Sequence, residues 1–307
     1  MNRSLRSLDT VTISAAPRRR LDRRASLTAQ ANAAQRAAET LRPPDRRLVH
    51  DPHSNNFVEH PALRAVLAHP RTADAVLRLF DWLWGGLHAH ITLRVRYADD
   101  AWRAAISIGI DQIVLLGAGF DTTCLRLAGA PVTVFEVDAP ATQARKRPIA
   151  ERLLTASSRT VWVPCDFERD ALRERLLDAG LDPSRPSLVS WLGVTPYLTR
   201  RAIAATLGDL ADVCAPGSRL VVDYIRAGVV DGSTPWRGAR RMTRLVARRG
   251  EPYRSDFTES GLNALLGGHG FTPGEHLTVA GLLNRYDPTG ESGLAADDWL
   301  AIASACR

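Results

Sequence analysis

Residues 112–121 read Gln112-Ile113-Val114-Leu115-Leu116-Gly117-Ala118-Gly119-Phe120-Asp121, and the rest of the chain falls into place around them. A short apolar run that ends at once in glycines is the pattern of a buried strand leaving the sheet through a tight turn. Gly117 and Gly119 permit backbone conformations and a closeness of approach that side chains forbid. Four segments of the same character follow: Val132–Asp138, Thr160–Asp166, Leu188–Gly193 and Arg219–Ile225. Helical stretches separate them at Ala139–Leu154, Glu168–Ala179 and Thr199–Cys214, and Thr258–Leu266 reads as another helix. Two weaker strands, Phe271–Thr278 and Trp299–Cys306, bring the number to seven. Apolar strands alternating with helices predict a parallel sheet with helices on both faces. The expected class is therefore α/β: a Rossmann-like, doubly wound, mostly parallel seven-stranded sheet with extra N-terminal helices.

Upstream of the first strand, residues 1–24 form a basic leader (Arg18, Arg19, Arg20, Arg23, Arg24) with little apolar periodicity, predicted to be disordered. Ser26 is placed to cap an Ala-rich helix running to Leu41, and Pro61–His69 and Thr72–Ile106 read as further helices, the latter broken near Gly85-Gly86. Residues 25–307 are expected to form one domain. A helical cap spans 25–108 and the core spans 109–307, with an Arg- and Gly-rich insertion at 226–252 that shows no clear periodicity. The formal charge of +7 lies entirely in residues 1–50, where eleven arginines face four carboxylates; the remaining 257 residues balance. With no aromatic residue in positions 1–56, a solvated leader is favoured over a nucleic-acid-reading arm. The longest apolar runs are far too short to cross a bilayer, so no membrane partner is expected. Cys124, Cys165, Cys214 and Cys306 are scattered, which predicts free thiols and no metal site. Lys146 is the single lysine, an arginine bias typical of high-GC coding, and the expected location is a bacterial cytoplasm.

Ligands of doubly wound sheets bind beyond the carboxyl ends of the strands. The Gly117-Ala118-Gly119 turn, with Glu136, Val137 and Asp138 ending the second strand, fits NAD, FAD or S-adenosylmethionine (SAM), since a terminal carboxylate can accept bonds from vicinal ribose hydroxyls. Two details favour SAM. Thr122 stands where a dinucleotide site has a third glycine, and Asp121 would repel phosphates but tolerate a sulfonium or amine. The plainer reading of this loop is a βα turn with a capping Asp. Asp166 and Phe167 close the third strand, where they could meet an adenine ring or simply start the next helix. Trp191, Leu192, Gly193 and Tyr197 follow the fourth strand, either around the reacting methyl group or as ordinary core.

Taken together, LLGAGFDTT, FEVD, PCDFE and WLGVTPYL resemble the leucine carboxyl methyltransferase family. The resemblance extends upstream to Arg94–Asp100 and runs over about residues 25–285. Its members include the enzyme that methylates the C-terminal leucine of a protein phosphatase and bacterial natural-product O-methyltransferases; the WLGVTPYL form is closer to the latter. The resemblance implies that Arg94 holds the SAM carboxylate, that Gly117 and Gly119, with the cofactor-binding candidate Ala118 between them, lie under the methionine part, and that Asp138, with Glu136 beside it, binds ribose. It further implies that Asp166 and Phe167 contact adenine and that Tyr197 lies near the acceptor. Two departures, Ala29 or a neighbour for an N-terminal lysine and Leu192 for a glutamate, argue against the phosphatase as substrate.

The expected function is SAM-dependent O-methylation of a small-molecule or peptide secondary metabolite, carboxylate first and phenol or hydroxyl second. A carboxylate is already ionised at neutral pH and requires no base, whereas a phenol is helped by one. His90, on the same helical face as Arg94 at i, i+4 spacing, is the candidate base beside Tyr197. Tyr224, Arg226 and Trp236 are the remaining candidate acceptor contacts, and Tyr253 a second lid aromatic. The alternatives are a SAM-binding cyclase or scaffold and a nucleic-acid methyltransferase. A homodimer is compatible with the sequence.

Overall fold

The computed structural model describes residues 27–307; the basic leader and the Ser26 cap lie outside the described residues. Helix α1 (Leu27–Thr40), a 3₁₀ turn (Ser54–Phe57), α2 (Pro61–Leu67), α3 (Pro70–Leu83) and α4 (Leu87–Ser107) precede the sheet. The break predicted at Gly85-Gly86 separates α3 from α4, and both glycines have positive φ (59° and 81°), which only glycine adopts without strain. At 1.5 Å per residue the 21 residues of α4 reach about 32 Å, enough to cross the sheet.

The sheet has the order β3-β2-β1-β4-β5-β7-β6. Strands β1 (Gln112–Leu116), β2 (Thr133–Asp138), β3 (Arg159–Pro164), β4 (Ser187–Trp191) and β5 (Arg219–Ile225) run parallel. Strand β7 (Leu300–Cys306) pairs antiparallel with both β5 and β6 (Thr272–Thr278). The switch in strand order falls between β1 and β4, the place where such sheets bind ligands. Register brings the carboxyl ends level: Leu116 pairs with both Val137 and Trp191, and Trp191 pairs with Val222.

Side chains alternate along each strand, and two buried clusters follow from that. One face, with Ile113, Leu115, Val134, Leu188, Val221 and Ile225, packs under α1 and α4. The other, with Val114, Phe135, Trp191, Val222 and Tyr224, packs under α7 (Leu172–Asp178), α8 (Arg200–Val213) and α10 (Glu259–Gly268). Two short connections also become helical, α5 (Thr123–Arg126) after β1 and α6 (Pro140–Glu151) after β2.

Residues 226–252 are not irregular throughout. They contain α9 (Arg237–Arg248), whose buried positions Gly238, Ala239, Met242 and Val246 recur at helical spacing. The arginines between them mask that stripe in the sequence. A further helix, α11 (Val279–Tyr286), joins β6 to the segment before β7. Among the described residues no helix is long and apolar enough to cross a membrane.

Candidate cofactor and acceptor site

The loop after β1 is shaped by its glycines. Gly117 has φ +64° and Gly119 φ +51°. A Cβ at Gly117 would lie 2.3 Å from Val194 Cγ2, so the Val194 side chain in the turn after β4 packs directly on the bare Gly117 backbone. A Cβ at Gly119 would lie 3.5 Å from the Cβ of Ala29 on α1. Ala118 N donates to Val137 O at 3.0 Å. Asp138 accepts from the backbone N–H of Gly119 and, at 2.6 Å, of Ala139. Burial pushes the Asp138 carboxyl up, and those two N–H groups pull it back only in part.

Asp121 caps its own turn, accepting from Thr123 N at 2.6 Å with Arg126 4.0 Å away. Burial opposes its charge, but Arg126, Arg36 and Lys146 hold its carboxyl at about 2. A buried network clamps this loop to the N-terminal helices: Arg36 donates to Phe120 O (2.6 Å) and Asp51 (2.9 Å), and Arg126 pairs with Asp99. The sequence assigns none of the four a role, although Asp99 lies in the Arg94–Asp100 stretch, because each is a polar residue on its own and only folding joins them.

Glu136 does not stand beside Asp138. Residues two apart on a strand share a face, but Glu136 lies deeper and is paired at 2.5 Å with Lys146 on α6, both fully buried. Burial raises the Glu136 carboxyl, whereas Lys146, which burial alone would lower, is raised by attraction to Glu136. Val137, between the two acids, points into the opposite cluster. Asp166 accepts from Glu168 N at 3.0 Å, the helix-start arrangement, and Phe167 lies 6.5 Å from Trp191.

At the β4 and β5 ends the structure joins residues that the sequence leaves apart. Arg94 Nη1 donates to Asp223 Oδ2 at 2.7 Å, and His90 Nε2 meets the same oxygen at 3.0 Å. Gly193 N donates to Asp223 Oδ1 at 2.6 Å. The guanidinium lies flat on Gly193, where a Cβ would come within 2.8 Å of Nη2. Burial works against charge on Asp223, yet Arg94 and the His90 hydrogen bond hold its carboxyl below the usual range. Burial lowers His90, so its imidazole is neutral. A charge in the middle of the apolar strand RLVVDYI is the signal that could have singled out Asp223.

His90 is thus a fully buried partner of Asp223. Tyr197 instead meets Tyr253, with ring centroids 5.3 Å apart, and Tyr253 continues to Trp299 at 6.4 Å. Burial pushes the Tyr197 hydroxyl up to about 12 and Tyr253 well above its ordinary value. Leu192 packs on the α4 side. Trp191 is 1% exposed within the opposite cluster, a core position away from Arg94. Tyr224 also points to that opposite face. With Arg226 and Trp236 it lines a cavity of about 260 Å³ that includes Glu259 and His276. The Arg226 guanidinium lies 5.2 Å from the Trp236 ring, and Tyr224 Oη meets His276 Nδ1 at 2.9 Å. The expected acceptor contacts therefore divide between the two sides of β5.

The family model described as leucine carboxyl methyltransferase matches residues 29–211, more than half of the chain. The chain belongs to that family. The match stops short of residue 285, to which the motifs seemed to extend the resemblance. A protein named as a candidate SAM-dependent methyltransferase, YktD of Bacillus subtilis, is 33% identical over 188 residues, 60% of this chain and 62% of the relative. The alignment thus spans less than two thirds of that relative's length. A protein of the same description in Mycobacterium marinum is 32% identical over 71% of this chain and 70% of its own. The crystal structure of a candidate methyltransferase from Thermobifida fusca superposes with a TM-score of 0.55 at 16% identity, over 89% of this chain and 94% of that one, a likeness of fold.

Proposed function

We propose that this member of the leucine carboxyl methyltransferase family is a SAM-dependent O-methyltransferase whose acceptor is a small-molecule or peptide metabolite bearing a carboxylate. The observation that carries the reading is Arg94. Its side chain is 11% exposed and donates one hydrogen bond, to Asp223, among the described residues. Its remaining N–H groups are not among the sealed, partnerless polar atoms of the core, so they are open to an incoming acceptor, and a carboxylate suits a guanidinium fork. Asp138 retains lone pairs for ribose hydroxyls beyond the two backbone donors it already accepts.

SAM, when bound, supplies a methyl carbon activated by a sulfonium. This chain's residues supply placement and exclusion of water, the main requirements of a direct transfer. Arg94 anchors the amino-acid end, and Tyr197 and Tyr253 form an apolar wall beside it. Neither phenol is ionised at neutral pH, and His90 is tied to Asp223. An acceptor that arrives ionised fits such a surrounding better than a phenol that must lose a proton.

Incubation with methyl-labelled SAM and a pool of carboxylic-acid metabolites should release S-adenosylhomocysteine and give base-labile methyl esters. Tight SAM binding without release would instead indicate a non-methylating role, and label stable to base would indicate a phenol or amine acceptor.

A further inference from the structure

The Asp223 side chain has three partners on two other elements. Its Oδ1 accepts from Gly193 N in the turn after β4, and its Oδ2 from Arg94 and His90 on α4, while the residue itself belongs to β5. Its backbone carbonyl accepts from Thr195 Oγ1 at 2.6 Å, so the turn that carries Tyr197 is anchored to Asp223 at two points. A carboxylate opposite an arginine usually engages two N–H groups side by side. Here the second oxygen is taken by Gly193, the arginine contact is single, and the rest of the guanidinium fork stays available. An apolar residue would hold β5 in the core at lower cost than an ionised one, so packing does not account for the acid.

We infer that Asp223 is the positioning residue of the cofactor site: it aims Arg94 at the incoming carboxylate and fixes the Gly193 turn, with His90 holding its Oδ2 in place. Because Asp223 is ionised, His90 carries its proton on Nε2 and donates it. His90 Nδ1 has no partner among the described residues, which fits an imidazole placed for the single contact at Nε2. This inference rests on the SAM reading and specifies how that site is set.

The test compares two ligands by calorimetry, SAM and decarboxylated SAM, which differ only in the group that Arg94 is aimed at. The carboxylate should improve wild-type affinity by about 10- to 150-fold, the range for a hydrogen bond to a charged group. Asp223→Asn cannot accept at both oxygens, so it should lose about tenfold or more for SAM and less than about twofold for the decarboxylated ligand. Equal loss for both ligands, the mark of a merely structural residue, would overturn the inference, as would no loss for either. Should Asp223→Asn not fold, His90→Leu should lower the ratio of affinities several-fold and His90→Gln, which keeps a donor, should restore it. Wild-type ratios in both His90 variants would also overturn it. A wild-type protein that binds neither ligand would refute the SAM reading itself, a different result from any of these.

Discussion

Gly117→Ala is the substitution whose cost can be worked out most fully from the structure. Two penalties add. The backbone at φ +64° is left-handed, which costs a residue with a Cβ about 1–2 kcal/mol. The new methyl would stand 2.3 Å from Val194 Cγ2, well inside contact distance, and overpacking of this kind costs about 1–3 kcal/mol. The sum, about 2–5 kcal/mol, is a large share of the stability of an ordinary domain. At roughly 2 °C per kcal/mol for a chain of this size, the midpoint of thermal unfolding should fall by about 4–10 °C. The two penalties can be separated in a double-mutant cycle. Val194→Ala in the Gly117→Ala background removes the Cγ atoms and should recover the overpacking part, leaving only the backbone part. SAM affinity, measured on the folded fraction, should follow the same order. If Gly117→Ala melts within 1 °C of wild type, or if Val194→Ala gives no recovery, the close approach of the two turns is not what the loop depends on.

Asp121 makes a pH prediction. Its carboxyl sits at about 2 when folded against an ordinary 3.8. A lowered carboxyl stabilises the folded state above the ordinary value, and that contribution fades as pH falls towards the folded one. It amounts to about 2 kcal/mol at pH 7, and about half of it remains at pH 3. Urea titrations of wild type and Asp121→Asn should therefore differ most near neutrality and converge in acid; a gap that widens in acid would refute the assignment. For the buried Glu136–Lys146 pair, Lys146→Met alone should cost about 3–5 kcal/mol by stranding the carboxylate, and Glu136→Leu added to it should recover most of that. Equal destabilisation in single and double variants would show that the pair itself stabilises the fold.

The sheet was legible because its strands are short, apolar and bounded by glycine or acid, so the alternation with helices survives in one dimension. What alternation could not give was the face on which a strand-end residue points. Trp191 and Tyr224 stand near the right ends of the right strands, yet register turns both away from Arg94. Glu136 likewise lies on the cofactor side of β2 but one pleat too deep. Asp223 was missed for the converse reason, since its importance comes from His90, Arg94 and Gly193, which converge on it from 30 to 133 residues away. Arginines hid α9, whose apolar stripe holds only four residues.

On the proposed function, SAM is held by its carboxylate through Arg94, beside the turns after β1 and β4. Titration calorimetry of SAM into wild type and Arg94→Ala tests it directly. One site per chain is expected in the wild type and at least about a tenfold weaker site in the variant, the equivalent of 1.4 kcal/mol. Equal affinity in the two proteins, with the variant folded, would contradict it.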